Sequence, residues 1–279
     1  MRERWMRKVR AGTWRALARS GCMVLVLLGG TQDAEAGIRA ERTRLIFDGG
    51  ARERDLRLVN TNDYPILVQT WIDNGEGSNQ PDTVVSPMLV LPAVLRMAPH
   101  EVKSVRVLYT DEPLPQDRES VFWLNLYEIA LLPESRADKN EARVRLAINT
   151  QMKIFYRPPG LGEPPAQPGQ SLSFSLRRQE GAWVLVCRNE GDRFASFASL
   201  ALQRDGRVTP VSNQPDMMTP PRSERIYPLV LPLPETGAGG SVEYRLIDDL
   251  GNAQRGESPI SPSRPVDAVG AAPRRGSDQ

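Results

Sequence analysis

Residues 143–158 read RVRLAINTQMKIFYRP, and their apolar side chains recur at every second position. Val144, Leu146 and Ile148 alternate with Arg145, Ala147 and Asn149. In an extended chain, alternate side chains point to opposite faces, so this run can bury one face as a strand but not as a helix. A cation follows at Lys153, then an aromatic-cationic end at Phe155, Tyr156 and Arg157. An apolar comb leading to a positive charge suits an extended peptide that ends in a carboxylate. The same pattern fits an inner strand of a β-sandwich.

The rest of 42–157 has the same character. Short apolar runs at 45–47 and 56–59 precede a longer one at 65–72, PILVQTWI, where Leu67, Gln69 and Trp71 oppose Ile66, Val68 and Thr70. Turn chemistry follows at 74–79, NGEGSN, because glycine and asparagine accept backbone angles other residues avoid. Residues 102–109 alternate again, and 121–129, VFWLNLYEI, is rich in aromatics. No segment keeps a 3.6-residue period for more than two turns. Short strands at this spacing predict an all-β sandwich.

Residues 158–170, PPGLGEPPAQPGQ, are too dense in proline and glycine for a helix or a central strand and read as a stiff linker. A second β-rich stretch follows, with strands expected at 172–176, 183–187, 194–202 and 242–247, and a turn at 237–240. Residues 261–279 are rich in proline, arginine, glycine and alanine and read as a disordered tail. The organisation expected is a signal at 1–36, a first domain at 37–158, a hinge at 159–170, a second domain at 171–260 and the tail.

The first 36 residues have the layout of a cleavable export signal. A long basic stretch precedes a short apolar core at 22–28, CMVLVLL, and Ala34-Glu35-Ala36 forms a small-x-small cleavage site. The apolar core is too short for a stable membrane-spanning helix. The whole chain has a formal charge of +2, but residues 37–279 carry 29 Lys/Arg and 31 Asp/Glu, a formal −2. The basic character therefore sits in the targeting segment, which argues against nucleic acid as a partner. Cys187 is the only cysteine after the signal, so no internal disulfide supports the fold and each domain must bury a core of its own. Within WVLVC at 183–187, Cys187 reads as a small core residue.

Catalytic groups are scarce. His100 is the only histidine, and its MAPHE setting reads as a turn before a strand, so Ser-His-Asp and Cys-His arrangements and a zinc site lack their parts. The carboxylate pairs Asp111-Glu112 and Asp248-Asp249 read as solvated turn residues. The chain is not expected to be an enzyme or to hold a cofactor or metal.

Several ordered segments together resemble the PapD-like periplasmic chaperones of the chaperone–usher pilus pathway. They are RTRLIF at 42–47, Asn60 with PILVQTW at 65–71, and the stretch from Pro87 through Pro92 to Arg96. LPQDRES at 114–120 runs into FWLN at 122–125, and KIFYRP follows at 153–158. The likeness spans the first domain; in the second it rests mainly on IDDLG at 247–251. Met88 and Ala93 differ from residues frequent in the family, as does NEGDRF at 189–194.

The resemblance implies two immunoglobulin-like β-sandwich domains in an L-shaped arrangement. It implies donor-strand complementation, in which a strand is lent to a pilin subunit that lacks its last one. By family position, Val144, Leu146 and Ile148 form the lent face, and Arg44 and Lys153 anchor the pilin C-terminal carboxylate. Glu119, Arg157 and Asp249 form an interdomain salt-bridge network, and Pro65 and Pro92 lie near the surface that meets the outer-membrane usher. The partners implied are pilin subunits and the usher, and the compartment is the periplasm. The short cysteine-free loop between Ile129 and Val144 resembles the subclass associated with rod-like adhesive pili. A homodimer capping its own exposed strand is left open. The competing class is a structural or adhesive fibre subunit, which would carry its own donor segment at the mature N-terminus. Residues 37–41, GIRAE, are short and charged for that purpose.

Overall fold

A computed structural model describes residues 37–75, 86–131, 147–162, 165, 167, 169–232 and 239–261. Among these the chain is all-β, with no helix. The first sandwich contains β1 (Ile38–Ala40), β2 (Arg44–Phe47), β3 (Glu53–Asn60), β4 (Ile66–Asp73), β5 (Met88–Leu91), β6 (Val94–Met97), β7 (Val102–Tyr109), β8 (Ser120–Ala130) and β9 (Ala147–Tyr156). The second contains β10 (Leu172–Gln179), β11 (Ala182–Asn189), β12 (Ala195–Arg204), β13 (Arg207–Pro210), β14 (Met218–Thr219), β15 (Ser223–Pro228), β16 (Ser241–Ile247) and β17 (Ala253–Pro259).

In the first sandwich a sheet ordered β1-β3-β7-β5 faces one ordered β2-β9-β8-β4-β6. The inward positions alternate as the strand period requires: Leu56 and Leu58 on β3, Val105 and Val107 on β7, Leu124 and Leu126 on β8, and Ile154 and Tyr156 on β9 form one buried cluster. Each such side chain contributes about 1.5–3 kcal/mol by leaving water. The second sandwich packs β10-β11-β15 against β13-β12-β16-β17 around a separate cluster that includes Phe174, Phe197, Tyr227 and Tyr244. The two clusters share no residue, so there are two immunoglobulin-like sandwiches, each with its own core. Cys187 is fully buried in the second, and burial pushes its thiol up to about 12, which keeps it protonated and unreactive.

Several strands lie outside the alternating runs of the sequence. β5 and β6 are separated by Pro92 and Ala93 and pair with opposite sheets, so one short stretch serves both layers. β17, which carries the second sandwich on to Pro259, lies past the last of the expected strands, at 242–247. It is a sheet edge with mostly exposed side chains, so it lacks the apolar alternation that would have revealed it. His100 is exposed, sits at φ 57° and bonds Asp63 at 3.0 Å, as a turn residue does. The signal at 1–36, the loop at 132–146 and the tail from residue 262 lie outside the described residues.

Candidate functional site

β9 pairs along its whole length with β8, from Ala147 opposite Ile129 to Tyr156 opposite Ser120. On its other side it meets β2 in parallel, but only from Lys153 to Tyr156. β2 reaches no further because it begins only at Arg44: the residues before it, Ile38–Ala40 in β1, pair with β3 of the opposite sheet. Residues 147–152 thus have one edge with no described strand beside it, a row of backbone groups available for pairing.

The faces of β9 differ. Met152, Ile154 and Tyr156 point into the core, and Ile148, on the same side by parity, is 42% exposed. The core-facing stripe therefore continues past the end of the sandwich. Val144 and Leu146 lie outside the described residues, so of the three comb positions only Ile148 is placed. On the opposite face, Asn149 Nδ2 and Gln151 Nε2 both donate to Asn125 Oδ1, at 3.0 and 2.9 Å. Asn125 Nδ2 donates to Asp73 Oδ2 at 2.7 Å, and Asp73 Oδ1 accepts from Gly75 N–H. This polar chain opposes a one-residue slip, which would carry the apolar stripe to the wrong face.

The open edge leads to two cations. Arg44 and Lys153 are register partners across the β2–β9 pair. Arg44 is only 8% exposed; its guanidinium lies 5.6 Å from the Phe155 ring centre, and Nη1 donates to Ile247 O at 3.3 Å. Its buried Nε has no partner. Loss of hydration lowers the Arg44 pKa, against the pull of Asp249, Asp248 and Glu119. A buried guanidinium with an unfilled donor is suited to accept an anion. Lys153 Nζ donates to Asp216 Oδ1 of the second sandwich at 2.8 Å.

Glu119, Arg157 and Asp249 come together. Arg157 Nε donates to Glu119 Oε1 at 2.8 Å, while Nη1 and Nη2 reach Asp249 Oδ2 and Oδ1 at 2.7 and 2.6 Å in a bidentate pair. Glu119 Oε2 accepts from Phe194 N–H at 2.8 Å, and Glu119 N–H donates to Asp192 O. Burial pushes the Glu119 carboxyl up despite the nearby Arg157. The bond to Arg157 holds Asp249 below the usual carboxylate range. Burial opposes the Arg157 charge, but its carboxylate partners more than offset that and raise its pKa. Asp248 turns away and accepts from the Leu250 and Asn252 backbone N–H groups, closing the turn that presents Asp249. Gly251 in that turn has φ 89°, and a Cβ there would lie 2.5 Å from Thr43 Oγ1, so the turn approaches the first sandwich too closely for a side chain.

Pro65 precedes β4, and its carbonyl accepts from Leu131 N–H. Pro92 is exposed, and its carbonyl accepts from Thr70 Oγ1 in the body of β4. The two prolines therefore lie beside different parts of β4.

Other residues contribute to the site. Asp216, Arg222 and Arg225 stand in stretches with no distinguishing pattern, while Asp117 and Asn125 lie inside the LPQDRES and FWLN segments and pair with Arg222 and Asp73. Phe194, whose ring centre lies 5.9 Å from that of Phe155, was visible only as part of an expected strand.

Two immunoglobulin-like sandwiches, bridged by partly exposed ion pairs and with a strand edge open beside paired cations, define a two-domain all-β protein. Residues 37–162 match the model of the pili and flagellar-assembly chaperone PapD N-terminal domain, and residues 167–258 that of the pili assembly chaperone PapD C-terminal domain. The chain belongs to this family of pilus-assembly chaperones. It is 30% identical to the probable fimbrial chaperone YadV of Escherichia coli K12, over 80% of this chain and 89% of that one. It is 31% identical to the chaperone protein FimB/FhaD of Bordetella pertussis, over 89% of this chain and 95% of that one. The solved structure of YadV superposes with a TM-score of 0.66 at 29% identity, covering 80% of this chain and 99% of the other. The CupB2 chaperone of Pseudomonas aeruginosa gives 0.64 at 30% identity, over 80% of this chain and all of that one. The family consists of chaperones, which are not enzymes.

Proposed function

We propose that this chain is a periplasmic chaperone that captures pilin subunits by donor-strand complementation and delivers them to an outer-membrane usher. The mature protein then begins at Gly37, the sandwiches correspond to 37–158 and 171–260, and residues 159–170 act as the hinge. The observation that carries this reading is the open edge at 147–152 ending beside Arg44 and Lys153. β2 runs parallel to β9 and begins at Arg44, opposite Lys153. A client strand laid along 147–152 in the same direction ends at these two cations, with its carboxylate toward them. The reverse direction would bring an α-ammonium there, which the cations repel. Backbone bonds then supply sequence-tolerant affinity, and the stripe containing Ile148, continued by Leu146 and Val144, fills the client's groove. Glu119, Arg157 and Asp249 fix how the sandwiches meet around the bound terminus, and the surface near Pro65 and Pro92 is left for the usher.

Co-expression with a candidate pilin tests the reading. The pilin is expected in the soluble periplasmic fraction only when this chain is present; equal solubility without it removes the chaperone function. The facing of β9 is tested separately. Ile148→Asp is expected to weaken pilin capture by about tenfold or more, since a charge would enter an apolar groove. Ala147→Asp, on the other face, is expected to have a small effect in the same pull-down. The reverse order would mean that the opposite face is lent.

A further inference from the structure

Asp216 lies in the segment between β13 and β14, and one of its oxygens meets the cation that ends the open edge of β9. Its Oδ1 accepts from Lys153 Nζ at 2.8 Å, and its Oδ2 lies 3.2 Å from Arg225 Nη1. Arg225, on β15, is itself fixed: it donates to Met218 O at 2.8 Å and Gln214 Oε1 at 3.0 Å and lies over the Tyr227 ring. The Lys153 and Asp216 side chains are 26% and 31% exposed, so another molecule can reach both. Beside them, the buried Nε of Arg44 has no partner. The two cations are thus unequally occupied: Lys153 already holds a carboxylate, while Arg44 retains an unfilled donor.

We propose that Asp216 is an internal carboxylate that holds the Lys153 half of the anchor in the free chain and is exchanged for the client's C-terminal carboxylate. It thereby sets the affinity of the site. The proposal rests on the reading of Arg44 and Lys153 as a carboxylate anchor. Its physical basis is like-charge competition. Two carboxylates on one ammonium stand a few ångströms apart, and their repulsion opposes the attraction each feels for the cation. Arg225 makes the exchange feasible, because Asp216 keeps a charge-assisted bond when Lys153 turns to the client and is never left as an unpaired anion. The contact also keeps the Lys153 ammonium neutralised until a chain terminus arrives. Arg44, buried and partly unsatisfied, supplies the first attraction. A site arranged in this way binds firmly without becoming irreversible, as a chaperone that later surrenders its client requires.

The competing role for the pair is a strut between the sandwiches, and the two roles give opposite results. The probe is a fluorescein-labelled peptide of alternating valine and threonine, long enough to cover the open edge, made with a free C-terminal carboxylate and as the C-terminal amide. Binding is read by fluorescence anisotropy to the full chain and to Asp216→Asn. The wild type is expected to prefer the carboxylate form. Asp216→Asn is expected to bind that form roughly tenfold more tightly, with the amide form unchanged, because only the charged terminus competes with Asp216. The gain should vanish in the Lys153→Met, Asp216→Asn double variant. Unchanged or weaker binding of the carboxylate form by Asp216→Asn overturns the exchange and makes the pair a strut, while the anchor stands. Failure of the wild type to distinguish the two forms, including failure to bind either, overturns the anchor and the exchange with it.

Discussion

Arg157→Ala is expected to lower the unfolding free energy by about 3 kcal/mol, because it strands the buried Glu119 carboxylate without its cation. The measurement is the denaturant midpoint at neutral pH. Glu119→Gln in the same background should recover part of the loss, since it removes the stranded charge while keeping an acceptor for Phe194 N–H. The deficit also depends on pH. In the variant, the Glu119 pKa lies above its unfolded value of about 4.3, so the penalty is full above the folded pKa and disappears below the unfolded one. Asp249 has the opposite sign. Its lowered pKa gives the wild type stability that is present above the ordinary carboxylate value and is lost as pH falls through the folded one. The two chains should therefore converge on acidification. An unchanged midpoint for Arg157→Ala at neutral pH would show that the network bears no part of the stability.

Arg44→Met and Lys153→Met are each expected to reduce pilin capture by about ten- to a hundredfold, the equivalent of one desolvated charge-assisted bond, while leaving a folded monomer. Methionine keeps much of the volume packed on Phe155, so loss of capture by Arg44→Met would report the charge rather than a cavity. The Arg44 variant should lose at least as much as the Lys153 variant, because the wild-type lysine gives up Asp216 to bind the client whereas the Arg44 Nε gives up nothing. Pull-down at the wild-type level by both variants would remove the carboxylate anchor. These substitutions test capture with the fold kept, whereas Arg157→Ala tests stability directly and capture only through the arrangement of the sandwiches.

Legibility from sequence followed exposure. β7 buries one face and leaves the other at least partly accessible, as β4 does over its first four residues, so their residues alternate visibly. β17 is an exposed edge reading AQRGESP, and nothing in it selects for apolar residues. The stretch that carries β5 and β6 changes sheets at Pro92, where alternation is interrupted by geometry rather than by composition. Among the site residues, Glu119, Arg157 and Asp249 were found through motif position, and spacing alone offered no reason to group residues up to 130 positions apart. Asp248 and Asp249 are chemically identical neighbours. Only the turn sends one carboxylate to its own backbone and the other to Arg157.

The alternation at 143–158 is a local property, set by the two-residue period of an extended chain. It follows from the residues that this run is a strand with an apolar face and a cationic end. Whether the strand is enclosed or offered depends on its neighbours. β8 covers one edge from Ala147 to Tyr156, while β2 begins only at Arg44 and covers Lys153 to Tyr156, because β1 before it pairs with β3 of the opposite sheet. That partial coverage leaves the edge open, carries Ile148 beyond the core and sets Lys153 beside Arg44 and against Asp216. Edge pairing and charge pairing are interactions between segments distant in the chain, so no local pattern encodes them. Folding gives an ordinary-looking sandwich strand an edge with no described neighbour over residues 147–152.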